Sequence, residues 1–262
     1  MKTVKDQIEE IKKKGYELDF GIVFEQAFEN YKKIAIYAGS MLLIFTFLFI
    51  ILLTGIAIAV FGIEVITKFI KPENFKPETF KGNFLLIYTA FIILITCLLS
   101  PFQAGFLKMA DCGEKGEEFH ISTMFEYYKP PYFINIVIAT FIITLFSSGL
   151  SALIDYTGMP LIGIIISLTI TFITFLMVPL IVFGKLNAIE AIKSSINIIL
   201  KQPLVILGLV IVAFIASLTG LIVFCIGIFF TLPIMYSMQY SLYNSIIKID
   251  FVSEIDELGS SM

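Results

Sequence analysis

From Ile34 to Ile63 the chain runs through thirty residues without a charged side chain, and no feature restricts its fold more. About 20 apolar residues wound as a helix cross the ~30 Å hydrocarbon layer of a bilayer. Five further charge-free runs, at 83–107, 132–154, 160–184, 203–222 and 226–247, meet that length or exceed it. Together they make 58% of the 262 residues hydrophobic and leave 15% charged, against about 45–50% and about 25% in soluble domains. A water-soluble particle of this size could not bury so much apolar surface. The reading is an all-α integral membrane bundle of six transmembrane helices in three hairpins, with the lipid bilayer as its principal partner. The first run is long enough to require tilt or extension beyond the bilayer.

Lysine placement sets the orientation, because cytoplasmic loops carry the excess of basic residues. Seven Lys precede the first run. With the N-terminus inside, 14 of the 18 Lys fall on the cytoplasmic side, and the other four (Lys68, Lys71, Lys76, Lys81) share one outer loop. Both termini are therefore expected inside. The chain divides into a leader at 1–33, a membrane domain at 34–248 and an acidic tail at 249–262. The leader lacks the basic–apolar–small order of a secretory signal and is expected to be retained.

The membrane domain reads as three repeats, about 20–107, 123–184 and 187–247, each opened by a cytoplasmic amphipathic helix. In the first, Phe20, Val23, Phe24, Ala27, Phe28 and Tyr31 form one apolar stripe. The second runs from Thr123 to Lys129, with Thr123 and Glu126 at capping-box spacing. The third begins at Asn187, with Glu190 as its reciprocal cap and Ile189, Ile192, Ile196 and Ile199 as its stripe. Each ends in Lys (Lys32–Lys33, Lys129, Lys201), which suits a helix C-terminus at the water boundary. Pro130 and Pro203 then turn the chain into the next span. Pro101, Pro179 and Pro233 lie in the even spans, where each is expected to kink its helix unless a neighbour satisfies the freed carbonyl.

The stretches Phe24-Glu-Gln-Ala-Phe-Glu-Asn-Tyr-Lys-Lys33 and Ala188-Ile-Glu-Ala-Ile-Lys-Ser-Ser-Ile196 resemble a broad family of bacterial six-span membrane proteins. That family includes the membrane domain found ahead of some glycerophosphodiester phosphodiesterases. The resemblance implies a bacterial cytoplasmic membrane location and an uncharacterised role. No stretch beyond Lys248 is long enough for the phosphodiesterase domain, so its hydrolysis does not carry over. Similar chains are often labelled carotene monooxygenases, which hold iron through several histidines. His120 is the only histidine here.

Few residues suggest chemistry. Cys97, Cys112 and Cys225 have neither disulfide nor metal spacing, and no cofactor or metal is expected. The absence of Arg and a net charge of −3 argue against nucleic acid. In the last span Ser237, Tyr240, Ser241 and Asn244 share a helical face, with Tyr236 and Gln239 beside it. With Gln103 of span two, the residues Tyr236, Gln239, Tyr240 and Asn244 are the candidate lining of a cavity for a lipophilic molecule with a polar head. Interhelical hydrogen bonding is the competing reading. Small residues at 213, 216, 217 and 220 and at 147, 148, 151 and 152 suit bundle packing or a dimer. Asp155 and Tyr156 sit in an outer turn, and the outer loop holds the tandem pentads Lys71–Phe75 and Lys76–Phe80. Lysines on the amphipathic helices invite anionic lipid, although seven acids offset the seven Lys of the leader.

No nucleophile–base pair is legible. The expectation is a non-catalytic membrane protein that organises or assists other membrane components, possible protein partners among them. A carrier or binder of a lipid-like molecule is the alternative, and a membrane enzyme is the weakest class.

Overall fold

The computed structural model describes residues 3–64, 67, 71, 83–155, 158–222 and 226–247. These residues are all-helical, with no strand among them. The pentads beyond Lys71, Tyr156, Cys225, Lys248 and the tail fall outside the described residues.

A helix that the sequence reading did not anticipate comes first. In α1 (Val4–Lys14), Thr3 and Asp6 form a reciprocal capping box. Ile8 and Ile11 are buried, Lys5 pairs with Glu190 at 2.9 Å, and Gly15 ends the helix with φ 75°. The Tyr16 hydroxyl then donates to the Ile198 carbonyl at 2.9 Å.

The first amphipathic segment and the first span are one helix, α2 (Phe20–Phe61), where a short surface helix followed by a span was expected. Asp19 caps it by accepting from the Ile22 N–H at 2.9 Å. The physical reason is continuity. No proline stands between 20 and 61, and the buried stripe Val23, Ala27, Asn30, Ile34, Ala38, Met41 keeps its three- and four-residue step across the supposed junction. At about 1.5 Å per residue, 42 residues make about 63 Å, twice the hydrocarbon thickness. None of its most apolar 18-residue stretch is buried.

α3 (Asn83–Lys115) is also longer than its apolar run. The second amphipathic element is a 3-10 helix, Ile121–Tyr128, rather than an α-helix. Its N-cap is His120, with no side-chain cap, so the expected Thr123–Glu126 box does not form. Gly105 of α3 lets this element lie close, since a Cβ there would stand 2.7 Å from the Met124 carbonyl oxygen.

Next come α4 (Tyr132–Asp155), α5 (Pro160–Ile173), α6 (Met177–Val182) and α7 (Ala188–Ile199). In α7 the Asn187–Glu190 capping box forms as expected, but the buried face differs. Ala188, Ala191, Ser195 and Ile198 point inward while Ile189 stays exposed. Of the expected isoleucine stripe Ile199 is fully buried and Ile192 packs against the core, so the inward face combines part of that stripe with the small residues.

α8 (Pro203–Leu218) continues as a 3-10 turn, Thr219–Ile222. The last apolar run is divided into α9 (Gly227–Thr231) and α10 (Pro233–Ile246). Among the described residues five helical stretches are long and apolar enough to cross a membrane: Phe20–Phe61, Ile87–Lys115, Tyr132–Ile154, Pro160–Val182 and Pro203–Ile222. The divided last run is not among them.

Candidate functional site

The three prolines of the even spans show how the bundle uses its polar residues. Proline at position i leaves the carbonyl of i−4 without its helical donor. For Pro101 that carbonyl belongs to Cys97, and the neighbouring Ser100 hydroxyl donates to it at 2.9 Å, so α3 continues through the proline. For Pro179 it belongs to Phe175, in the break between α5 and α6, and the side-chain amide of Gln239 donates to it. Ser195 of α7 serves the same break twice, accepting from the Leu176 N–H at 3.1 Å and donating to the Ile173 carbonyl at 3.0 Å. Pro233 stands at the first position of α10, just after α9, a place in a helix that proline favours.

The polar face of α10 and the lower half of α2 complete one another. The Ser237 hydroxyl donates to Asn30 Oδ1 at 2.9 Å, and the Asn30 amide donates to the Ala110 carbonyl at 2.7 Å. Tyr240, 1% exposed, donates to Asp111 Oδ1 at 3.1 Å. Asp111 is buried and paired with Lys108 at 2.7 Å and Lys115 at 3.2 Å. Sequence reading missed this node because it ended span two at residue 107. The Lys–Asp–Lys spacing of three and four residues on one helix face was its signal.

Two of the five candidate residues meet in a cleft of about 450 Å³ between α2, α3, the first 3-10 helix and α10. Leu42, Phe45, Phe49 and Leu52 line it from α2, and Leu99, Phe102 and Phe106 from α3. Phe125 and Tyr128 close one side. Phe45 and Phe102 stand 4.8 Å apart between ring centres, and Tyr236 stacks on Phe106 at 4.9 Å. Leu48 and Leu52, more than half exposed, carry the apolar lining out to the surface. Gln103 is exposed within the cleft. Among the described residues neither its amide nor the Tyr236 hydroxyl has a hydrogen-bond partner. The size lies within the ~300–1,000 Å³ of small-molecule sites, which pair apolar walls with a few convergent polar groups.

The other candidates are placed elsewhere. Gln239 is committed to Phe175 and Tyr240 to Asp111, while Asn244 is half-buried further along α10 and does not line the cleft. Small-residue spacings serve packing between neighbours. Ala213 and Ser217 are buried, the Ser217 carbonyl accepts from Thr231 at 2.6 Å, and Ser147 of α4 bonds Ser167 of α5 at 2.6 Å. Among the described residues no group of His, Cys, Asp and Glu is arranged to hold a metal. No known family profile, curated protein or solved structure matches this chain.

Proposed function

We propose that this is a multi-pass protein of the bacterial cytoplasmic membrane, both termini inside, that binds a lipid-like amphiphile without catalysing a reaction. The observation that carries this reading is the convergence of the Gln103 amide and the Tyr236 hydroxyl, neither with a partner among the described residues, in a largely apolar cleft. Of the other polar side chains lining it, Tyr128 is taken up by the Leu98 carbonyl, while the Thr46 hydroxyl adds a further donor and acceptor on the α2 wall. The apolar tail lies between α2 and α3, against Phe45, Phe49 and Phe102. Gln103 both donates and accepts and the tyrosine hydroxyl donates, which suits an ester or similar polar linkage at the head of the tail.

Native mass spectrometry of gently solubilised protein tests this. A stoichiometric lipid in the wild type, lost on Gln103→Leu combined with Tyr236→Phe, is the expected result. A bare chain in both proteins sinks the reading. The organising role remains a second reading, favoured by the outer part of α2, whose most apolar stretch lies unburied and offers length for a neighbouring membrane component. The six-span topology, its threefold repeat and the kinship with the bacterial family belong to the same proposal.

A further inference from the structure

Behind the cleft the first 3-10 helix presents a second cavity, of about 390 Å³, lined by Ser122, Thr123, Glu126, Lys129, Pro130 and Tyr132. The alternation is close. Phe125 and Tyr128 face the apolar cleft, while their neighbours Glu126 and Lys129 face the polar cavity. This element is pinned to α3 by the Tyr128 hydroxyl, which donates to the Leu98 carbonyl at 2.8 Å, so both cavities share one fixed wall. Within the described residues neither Glu126 nor Lys129 has an ion-pair partner, and the two do not pair with each other. The cavity lining therefore includes one carboxylate, one ammonium and three hydroxyl-bearing side chains, Ser122, Thr123 and Tyr132.

We infer that this polar cavity takes the headgroup of a zwitterionic phospholipid carrying a primary ammonium, whose tail occupies the neighbouring cleft. Lys129 and the Ser122 and Thr123 hydroxyls meet the phosphodiester, and Glu126 accepts from the ammonium. A phosphate needs donors and a primary ammonium needs acceptors. An anionic headgroup would leave Glu126 opposed to like charge. A quaternary ammonium has no N–H to give it. The lipid's glycerol region bridges the 3-10 helix that forms the wall between the two cavities. This inference rests on the binding reading above and adds the ligand's headgroup class.

The test reconstitutes the full chain in vesicles holding equal amounts of ethanolamine, choline and glycerol phospholipids plus diacylglycerol, all with the same acyl chains. Retained lipid is then counted by native mass spectrometry. The wild type is expected to hold the ethanolamine lipid about five-fold over the choline and glycerol lipids, the scale of a solvent-accessible ion pair. Glu126→Gln should erase that preference, and Glu126→Lys should turn it toward the anionic glycerol lipid. Lys129→Gln should lower all phospholipids while diacylglycerol binding stays constant, which also shows that the variants are folded. Equal retention of the three phospholipids by the wild type overturns the headgroup assignment and leaves the cleft standing, as does a preference indifferent to Glu126. Retention of no lipid at all, diacylglycerol included, overturns the cleft reading with it.

Discussion

Gln239→Leu, made with and without Pro179→Ala, separates a backbone repair from a ligand contact. In the wild type the Gln239 amide donates to the Phe175 carbonyl, which Pro179 deprives of its helical donor. Leucine keeps the bulk and removes the donor. An unsatisfied buried polar group costs about 1–3 kcal/mol, while hydrogen bonds between membrane helices average about 0.6 and reach about 1.7 kcal/mol. Phe175 is only half-buried, so the loss should be about 1 kcal/mol, or about 2–4 °C in a chain of this size. Alanine at 179 restores an N–H four residues beyond Phe175 and allows α5 and α6 to close their break. In that background Gln239→Leu should cost less than half as much. The assay is a double-mutant cycle on thermal unfolding in detergent. Equal losses in both backgrounds would refute the reasoning and return Gln239 to the candidate ligands.

Three more outcomes follow from the same contacts. Asp111→Ala should destabilise by about 2–4 kcal/mol, since it strands the buried Tyr240 hydroxyl and unpairs two lysines. Asp111→Asn, which still accepts from Tyr240, should cost less, and an asparagine as damaging as alanine would count against the hydrogen bond. Tyr243 is 1% exposed and among the described residues its hydroxyl has no partner, so Tyr243→Phe should be neutral or stabilising by up to about 1 kcal/mol, read as an unchanged or higher Tm. Glu190 is held below its ordinary value chiefly by the hydrogen bond from Lys5, which outweighs the opposing effect of burial, with the Asn187 N–H a lesser help. A lowered carboxylate contributes fully above its ordinary value of about 4.3 and loses that contribution as pH falls through the lowered one. Amide protection across α1 should therefore drop on acidification below pH ~4, with the drop abolished by Lys5→Ala, and protection independent of pH in the wild type would contradict it.

Much of the helical content was legible because charge-free runs and flanking lysines are written locally. Less legible were the joints. Whether a surface helix and a span fuse depends on whether proline intervenes and whether the buried stripe keeps step, and α2 satisfies both conditions. How a proline's freed carbonyl is satisfied depends on donors from elsewhere, Ser100 one residue away and Gln239 sixty residues on. The Thr123–Glu126 spacing was sound chemistry at a place where packing against Gly105 leads into a 3-10 helix capped at His120. Of the α7 stripe, Ile199 is buried and Ile192 in part, but Ile189 is not, and the first turn points Ala188 and Ala191 inward instead.

Polarity within an apolar stretch therefore signals an obligation before it signals a ligand. Asn30, Ser195, Ser237, Gln239 and Tyr240 all discharge such obligations, tying α2, α3, α7 and α10 together around one broken span and one buried carboxylate. Sorting by composition cannot separate them from Gln103, which looks the same in the sequence. Geometry separates them, because Gln103 and Tyr236 face a cleft and serve no described group in the bundle. If the cleft binds nothing, an exposed amide on an apolar wall would remain without purpose, whereas Asn30, Ser195, Ser237, Gln239 and Tyr240 each have one. That contrast, more than the size of the cleft, makes Gln103 the residue to mutate first.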